Sequence, residues 1–71
     1  MNQGDILTRN GRPEEIVIVT GGRIDDVYPC ISFFKREGHL HWRSGWQSAV
    51  TLEDTQCRGN VMQFAQLMDA R

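Results

Sequence analysis

The first half of the chain alternates short apolar runs with polar or glycine-containing turns, which is the pattern of β-strands. Residues 5–9 are predicted to form a short first strand. Asn10-Gly11 follows it and is a strong signal for a tight hairpin, because both residue types accept positive φ. Residues 15–20 contain a run of four apolar residues, 16–19, that is apolar on both faces, so we expect a central strand that is covered on both sides. Residues 27–36 are predicted to form the third strand.

The next segment predicts two further strands. Glu37-Gly38 turns the chain, and residues 39–43 return beside the third strand. A second turn is expected at residues 44–45. Residues 46–52 alternate apolar and polar side chains, so we expect a fifth strand there.

Near the C-terminus the apolar period changes from two residues to that of a helix. The apolar stripe at spacing i, i+3, i+4 and i+7 consists of Val61, Phe64, Ala65 and Met68. Asn60 is a favourable N-cap, so the pattern predicts a helix over about residues 60–70. A helix this short is marginal alone in water and must dock its apolar face on the domain or on a partner.

Five strands followed by one helix predict a mainly β fold, a single domain over residues 1–71 with its strands within residues 5–52. We expect a small five-stranded antiparallel SH3-like barrel, because no helical pattern lies between the third and fourth strands, where an OB-fold usually has a helix. A chain of this length buries only about 60% of the surface that its unfolded form exposes. Such a thin core favours self-association, while the fold by itself supplies no function.

The two-residue turn at Glu37-Gly38 sets the register of the third and fourth strands. One side of this hairpin then carries three facing pairs, which are Arg36 with His39, Phe34 with His41, and Ser32 with Arg43. The other side carries Ile31, Phe33, Lys35, Leu40 and Trp42. Because the second set is the more apolar, we expect it to face the core and the first set to face solvent.

The predicted exposed set contains the candidate binding residues. They are Phe34, Arg36, His39, His41 and Arg43. An exposed aromatic ring between Arg and His side chains suits stacking on a nucleobase or docking on a protein. A purely structural interpretation is equally open, in which the C-terminal helix covers Phe34 and the cations form a solvated rim.

The formal charge of −1 conceals a local asymmetry, because residues 35–46 are net positive and the rest of the chain is net negative. A protein that binds duplex DNA usually carries a clear basic excess, which this chain lacks. We therefore expect a small interaction protein that binds another protein or itself through this hairpin and through the C-terminal helix. Binding of single-stranded nucleic acid by the same face is the alternative.

No catalytic motif or phosphate-binding loop is recognisable, so we expect no enzymatic activity and no cofactor. The residue types of a zinc site occur in Cys30, His39, His41 and Cys57. Their spacing matches no familiar zinc pattern, so we expect no metal. Two cysteines also do not make a disulfide framework. An oligomer that forms a pocket on its symmetry axis is the one route to catalysis left open for so small a chain.

The N-terminal segment has neither the basic nor the apolar region of a signal peptide. No apolar run approaches the roughly 20 residues that cross a bilayer. We therefore expect a cytoplasmic protein that does not contact a membrane. Because the chain begins with Met and has no obvious linker, we also expect it to be a complete small gene product.

Overall fold

The computed structural model describes residues 1–63 and 65, and its strands form one antiparallel five-stranded sheet. In chain order the elements are β1 (Asp5–Arg9), β2 (Arg12–Val19), β3 (Val27–Arg36), β4 (His39–Ser48), the short helix α1 (Ala49–Leu52) and β5 (Thr55–Asn60). Their order across the sheet is β4-β3-β2-β1-β5. The mainly β class is confirmed, as is the number of antiparallel strands.

The fourth and fifth predicted strands are wrong in their bounds. The turn expected at residues 44–45 lies in the middle of β4, which runs on without interruption to Ser48. Residues 49–52, predicted to be extended, are helical. The Ser48 side chain caps this helix, since its Oγ accepts a hydrogen bond from the Thr51 N–H at 3.1 Å.

The true fifth strand, β5, was not predicted. It pairs with β1 in a ladder whose register shifts between Ile6 and Leu7. Its six residues, Thr55–Asn60, contain no apolar alternation. Its extended conformation therefore comes from hydrogen bonding to β1, which no pattern within β5 reveals.

The strand order leaves β4 and β5 at the two edges of the sheet, and no pairing joins them within the described residues. The sheet is thus open, and the expected closed barrel is not present in this part of the chain. The chain continues from β5 as helix at residues 61–63 and 65. Asn60 begins this helix as expected, because its Oδ1 accepts a hydrogen bond from the Met62 N–H at 2.8 Å. The remainder of the helix predicted over residues 60–70 lies outside the described residues.

No helix in residues 1–63 and 65 has the length and hydrophobicity needed to cross a membrane.

The core lies on one face of the sheet. Its buried apolar side chains are Leu7, Val17, Val19, Tyr28, Cys30 and Leu52. Leu52 is the last residue of α1 and belongs to the crossover from β4 to β5. This crossover therefore covers the core face, and Ala49 packs beside Leu52 at its start.

Strand β2 is central in the sheet, as expected, but only one of its faces is sealed. Val17 and Val19 are fully buried on the core face. Ile16 and Ile18 point to the opposite face, where Ile16 remains 39% exposed and Ile18 is half-buried. The expectation that both faces of this strand are covered is therefore wrong.

The buried carboxylate of Asp5 joins the start of β1 to the end of β5. Its Oδ2 accepts a hydrogen bond from the Asn2 N–H at 2.8 Å, and its Oδ1 accepts one from Asn60 Nδ2 at 2.8 Å. The backbone N–H of Asn2, followed by the Asn60 amide, lowers the pKa of Asp5 below its ordinary value.

The substitution Asp5→Asn should lower the free energy of unfolding at pH 7 by about 1–2 kcal/mol, since hydrogen bonds to a charged acceptor are lost. The pKa of Asp5 is lower in the folded than in the unfolded chain. Its contribution is therefore complete above the ordinary pKa of about 4 and disappears as pH falls through the folded value. Urea unfolding at pH 7 should separate the two proteins, and their difference should shrink towards pH 2.

The matched control is Glu53→Gln, because Glu53 is an exposed carboxylate with no side-chain partner in the described part of the chain. This variant should unfold like the wild type. A loss in Asp5→Asn that is the same at both pH values would show that the carboxylate charge is not what stabilises the contact.

Candidate functional site

The candidate site is the hairpin of β3 and β4, whose register is the predicted one. Arg36 lies opposite His39, Phe34 opposite His41, and Ser32 opposite Arg43. Glu37 and Gly38 form the two-residue turn, with φ of 54° and 78°. Positive φ at both positions is the geometry of a type I′ turn, whose twist matches that of the strands it joins.

The five residues predicted as a binding site lie together on one side of this hairpin, and we call this the cationic face: Phe34, Arg36, His39, His41 and Arg43. The Phe34 and His41 rings are stacked, with centroids 5.7 Å apart and an interplanar angle of 18°. The Arg36 guanidinium carbon lies 6.0 Å from the centroid of the Phe34 ring. The four basic side chains of this face are exposed, whereas Phe34 is half-buried.

The cationic face is on the same side of the sheet as the core, and not on the opposite side as we expected. Along β3, Tyr28, Cys30 and Ser32 are buried, and exposure then rises towards the turn. The α1 crossover covers the β3 side chains far from the turn, and the hairpin extends beyond it. Phe34 therefore lies at the margin between covered core and open surface.

The opposite side of the hairpin carries the large apolar residues, and we call it the tryptophan face. Leu40 is 70% exposed, Trp42 66% and Trp46 59%. The expectation that Leu40 and Trp42 face the core is wrong, because Leu52 and the two buried valines of β2 build the core on the other side. Phe33 lies opposite Trp42 and is only half-buried.

Trp46 was not among the predicted site residues. The Ser44-Gly45 pair is typical of a turn and so predicts that Trp46 belongs to a separate strand. The signal that could have revealed it is the period-two spacing of Leu40, Trp42 and Trp46 through Ser44, which is the spacing of one uninterrupted strand face.

A polar cleft lies between the α1 crossover and β4 on the core side, with a volume of about 660 Å³. Arg9 ties its walls together. Its guanidinium donates to the Thr51 carbonyl at 2.8 Å and to Gln47 Oε1 at 2.9 Å, and its Nε lies 3.5 Å from Glu15. Gln47 in turn donates to Ser32 Oγ at 3.1 Å. These polar groups hold the crossover in position over the sheet.

Residues of metal-ligand type are dispersed. No three His, Cys, Asp or Glu side chains converge within residues 1–63 and 65. Both cysteines are free thiols, with Cys30 buried and Cys57 exposed. Burial raises the pKa of the Cys30 thiol and so disfavours the thiolate that a metal would need.

Neither family models, nor curated proteins, nor solved structures contain a match to this chain. Function is therefore inferred from the chemistry of the two hairpin faces.

The turn that holds these faces in register has one unfavourable residue. Glu37 has a φ of 54°, a conformation that Asn accepts more readily than Glu. Glu37→Asn should therefore raise the free energy of unfolding by about 0.5–1 kcal/mol, measured as a higher urea midpoint at unchanged slope. Glu37→Ala removes the same carboxylate without the conformational advantage and should bring no gain. An equal gain in both variants would assign the effect to charge and contradict the backbone explanation.

Proposed function

We propose that this chain is a small non-catalytic interaction protein that binds another protein or itself through its β3–β4 hairpin. The tryptophan face supplies the apolar contact area. The cationic face, with Phe34, Arg36, His39, His41 and Arg43, supplies the neighbouring charge.

The observation that carries this proposal is the exposure of three large apolar side chains on one strand face. Leu40, Trp42 and Trp46 are each more than half exposed. Contiguous exposed apolar surface on a small domain marks interaction sites. Trp is enriched among the residues that dominate protein interfaces, and one buried aromatic side chain removes about 150–250 Å² from water.

The strand order and the short helix between β4 and β5 favour an SH3-like arrangement as the finer description of the fold. This arrangement supports the interpretation of the chain as a binding module only by analogy. The assignment of the contact to the hairpin rests on its exposed side chains.

The double substitution Trp42→Thr/Trp46→Thr tests the tryptophan face. Thr keeps the β-propensity of the strand while removing the aromatic surface. We expect a species that elutes with the wild-type chain, whether a second copy or another protein, to be lost from the variant. The measurement is solution mass by light scattering combined with mass spectrometry of co-purifying chains.

The matched control is Val50→Thr, because Val50 is an apolar residue of α1 that is 73% exposed and lies outside the hairpin. This variant should retain the partner. Loss of the partner in Val50→Thr as well would contradict the proposal. So would a wild type and a double variant that show the same mass and the same co-purifying chains.

A single-stranded nucleic-acid-binding module is the second candidate, and the stack of Phe34 on His41 beside Arg36 favours it. Base stacking on an aromatic ring contributes about 1–3 kcal/mol per base. Basic side chains around such a ring can contact the phosphates on either side of a stacked base.

Arg43→Glu tests this second candidate. Anisotropy of a labelled mixed oligonucleotide pool should show that this variant binds at least tenfold more weakly than the wild type. Affinity decreases with salt, and the negative slope of log affinity against log salt should become shallower by about one, because a phosphate contact is lost. Trp42→Thr/Trp46→Thr should bind as the wild type does. Absence of binding by the wild type at low salt would exclude this function.

A further inference from the structure

Strand β4 is an edge strand whose outer side has no backbone partner in residues 1–63 and 65. It is ten residues long and pairs with β3 without a register shift. In a hairpin with a two-residue turn, the residues flanking the turn form a hydrogen-bonded pair, and these pairs then alternate along the ladder. His39 and the other odd-numbered residues therefore bond to β3. The outward-pointing backbone groups belong to Leu40, Trp42, Ser44, Trp46 and Ser48, except that the carbonyl of Ser48, as the N-cap of α1, accepts the first hydrogen bond within that helix.

The backbone hydrogen bonding of Pro29 agrees with this alternation. Pro29 lies opposite Trp46 and has no N–H to offer it. Its carbonyl accepts from the Thr20 N–H at 2.8 Å, on the side away from β4. The backbone of Trp46 is therefore directed to the open edge.

The two edges of the sheet differ in how well they are protected. Exposed edge strands normally carry a bulge, a proline, a lysine or short length, since an unprotected edge pairs with other chains. β5 has only six residues, and its ladder with β1 is interrupted by a register shift. β4 has no bulge, no proline, no lysine and is not short. Arg43 is its one Arg, Lys, Asp or Glu side chain, and Trp42 and Trp46 lie on its other face.

We propose that β4 pairs antiparallel with β4 of a second copy, about a twofold axis at Ser44, so that two sheets become one of ten strands. This rests on the proposed function and deepens it by naming the partner. In this register Trp42 lies opposite Trp46 of the second copy. By symmetry, Trp46 lies opposite Trp42 of the second copy. All four tryptophans then lie on the same face of the joined sheet.

Two criteria favour the axis at Ser44: the number of β4 residues that pair, and the separation of the two Arg43 side chains. This axis brings all five outward residues of each copy opposite a partner and, because the Ser48 carbonyl is used within α1, gives about eight hydrogen bonds, which is within the range of a typical protein interface. It also faces Arg43 with Gly45 of the second copy. An axis at Arg43 would instead bring two Arg43 side chains directly opposite each other, which is destabilising.

An axis at Gly45 avoids that repulsion but forms a poorer contact. It would set Trp42 against Ser48 and leave the outward groups of Leu40 without a partner. Of these three axes, the one at Ser44 gives every outward residue of β4 an opposite residue and also places Trp42 opposite Trp46.

Charge at the axis tests the pairing. Ser44→Glu and Ser44→Lys each place two like charges directly across the axis, so each should raise the dimer dissociation constant at least tenfold. Mixed in equal amounts, the two variants should form a heterodimer, because Glu then faces Lys. Light scattering measures the mass of each sample, and native mass spectrometry identifies the heterodimer. Gln56→Glu, which adds the same charge to exposed β5, should remain dimeric.

A cysteine cross-link tests the register. In a Cys57→Ser background, Ser44→Cys should form a disulfide-linked dimer under mild oxidation, because directly opposite Cα atoms in a hydrogen-bonded pair lie about 5.5 Å apart. Arg43→Cys in the same background should not. Efficient cross-linking of Arg43→Cys instead would overturn the axis.

The outcomes separate this pairing from the broader proposal. Suppose that the wild type stays monomeric at millimolar concentration but co-purifies with another protein, and that Trp42→Thr/Trp46→Thr does not. This result overturns the second copy as the partner and leaves the proposed interaction function standing. A dimer that Ser44→Glu leaves intact overturns the edge pairing.

Discussion

Burial of Leu52 against one face of the sheet is the contact on which the other surfaces of this protein depend. The α1 crossover brings this side chain onto the buried valines of β2 and so determines which face becomes the core. Full burial of one such side chain contributes about 1.5–3 kcal/mol, a large share of the stability of a 71-residue domain. Within residues 1–63 and 65 the opposite face has no comparable cover at β4, and Trp42 and Trp46 are exposed.

Polar contacts hold the crossover over that face. Arg9 reaches from β1 to the carbonyl of Thr51 in α1, to Gln47 at the end of β4 and to Glu15 in β2. A single guanidinium thus joins four elements, and its planar set of donors suits this task better than a lysine would. The same contacts orient the cationic face, because β4 continues directly from Gln47 back to Arg43 and the turn.

Two chemically different surfaces follow from one hairpin register. The alternation of a β-strand sends the basic side chains and Phe34 to the core side, beyond the margin of the crossover, and sends the tryptophans to the open side. The edge position of β4 adds backbone groups that have no partner in the described part of the chain. Apolar area and open backbone therefore coincide on the same strand, and this coincidence is the basis on which we propose association.

Several features could be predicted from the sequence because their causes are local. Glu37-Gly38 determines the pairing of Phe34 with His41, since a two-residue turn leaves only one register. The bounds of β1 and β3, and the Asn60 cap, likewise follow from residues near in sequence. The membership of the cationic face was therefore predictable, although its orientation was not.

The tertiary structure alone decided which face is buried. The apolar run in β2 is equally suited to either face, and the hairpin side with Trp42 is the more apolar one, so composition favours the wrong choice. The deciding contact, Leu52, reaches the sheet from a segment whose alternation resembles a strand. β5 is likewise extended because β1 offers it hydrogen bonds, and a strand made by its neighbour has no pattern of its own. Faces and edges are properties of assembled elements, whereas turns, registers and caps are properties of the chain.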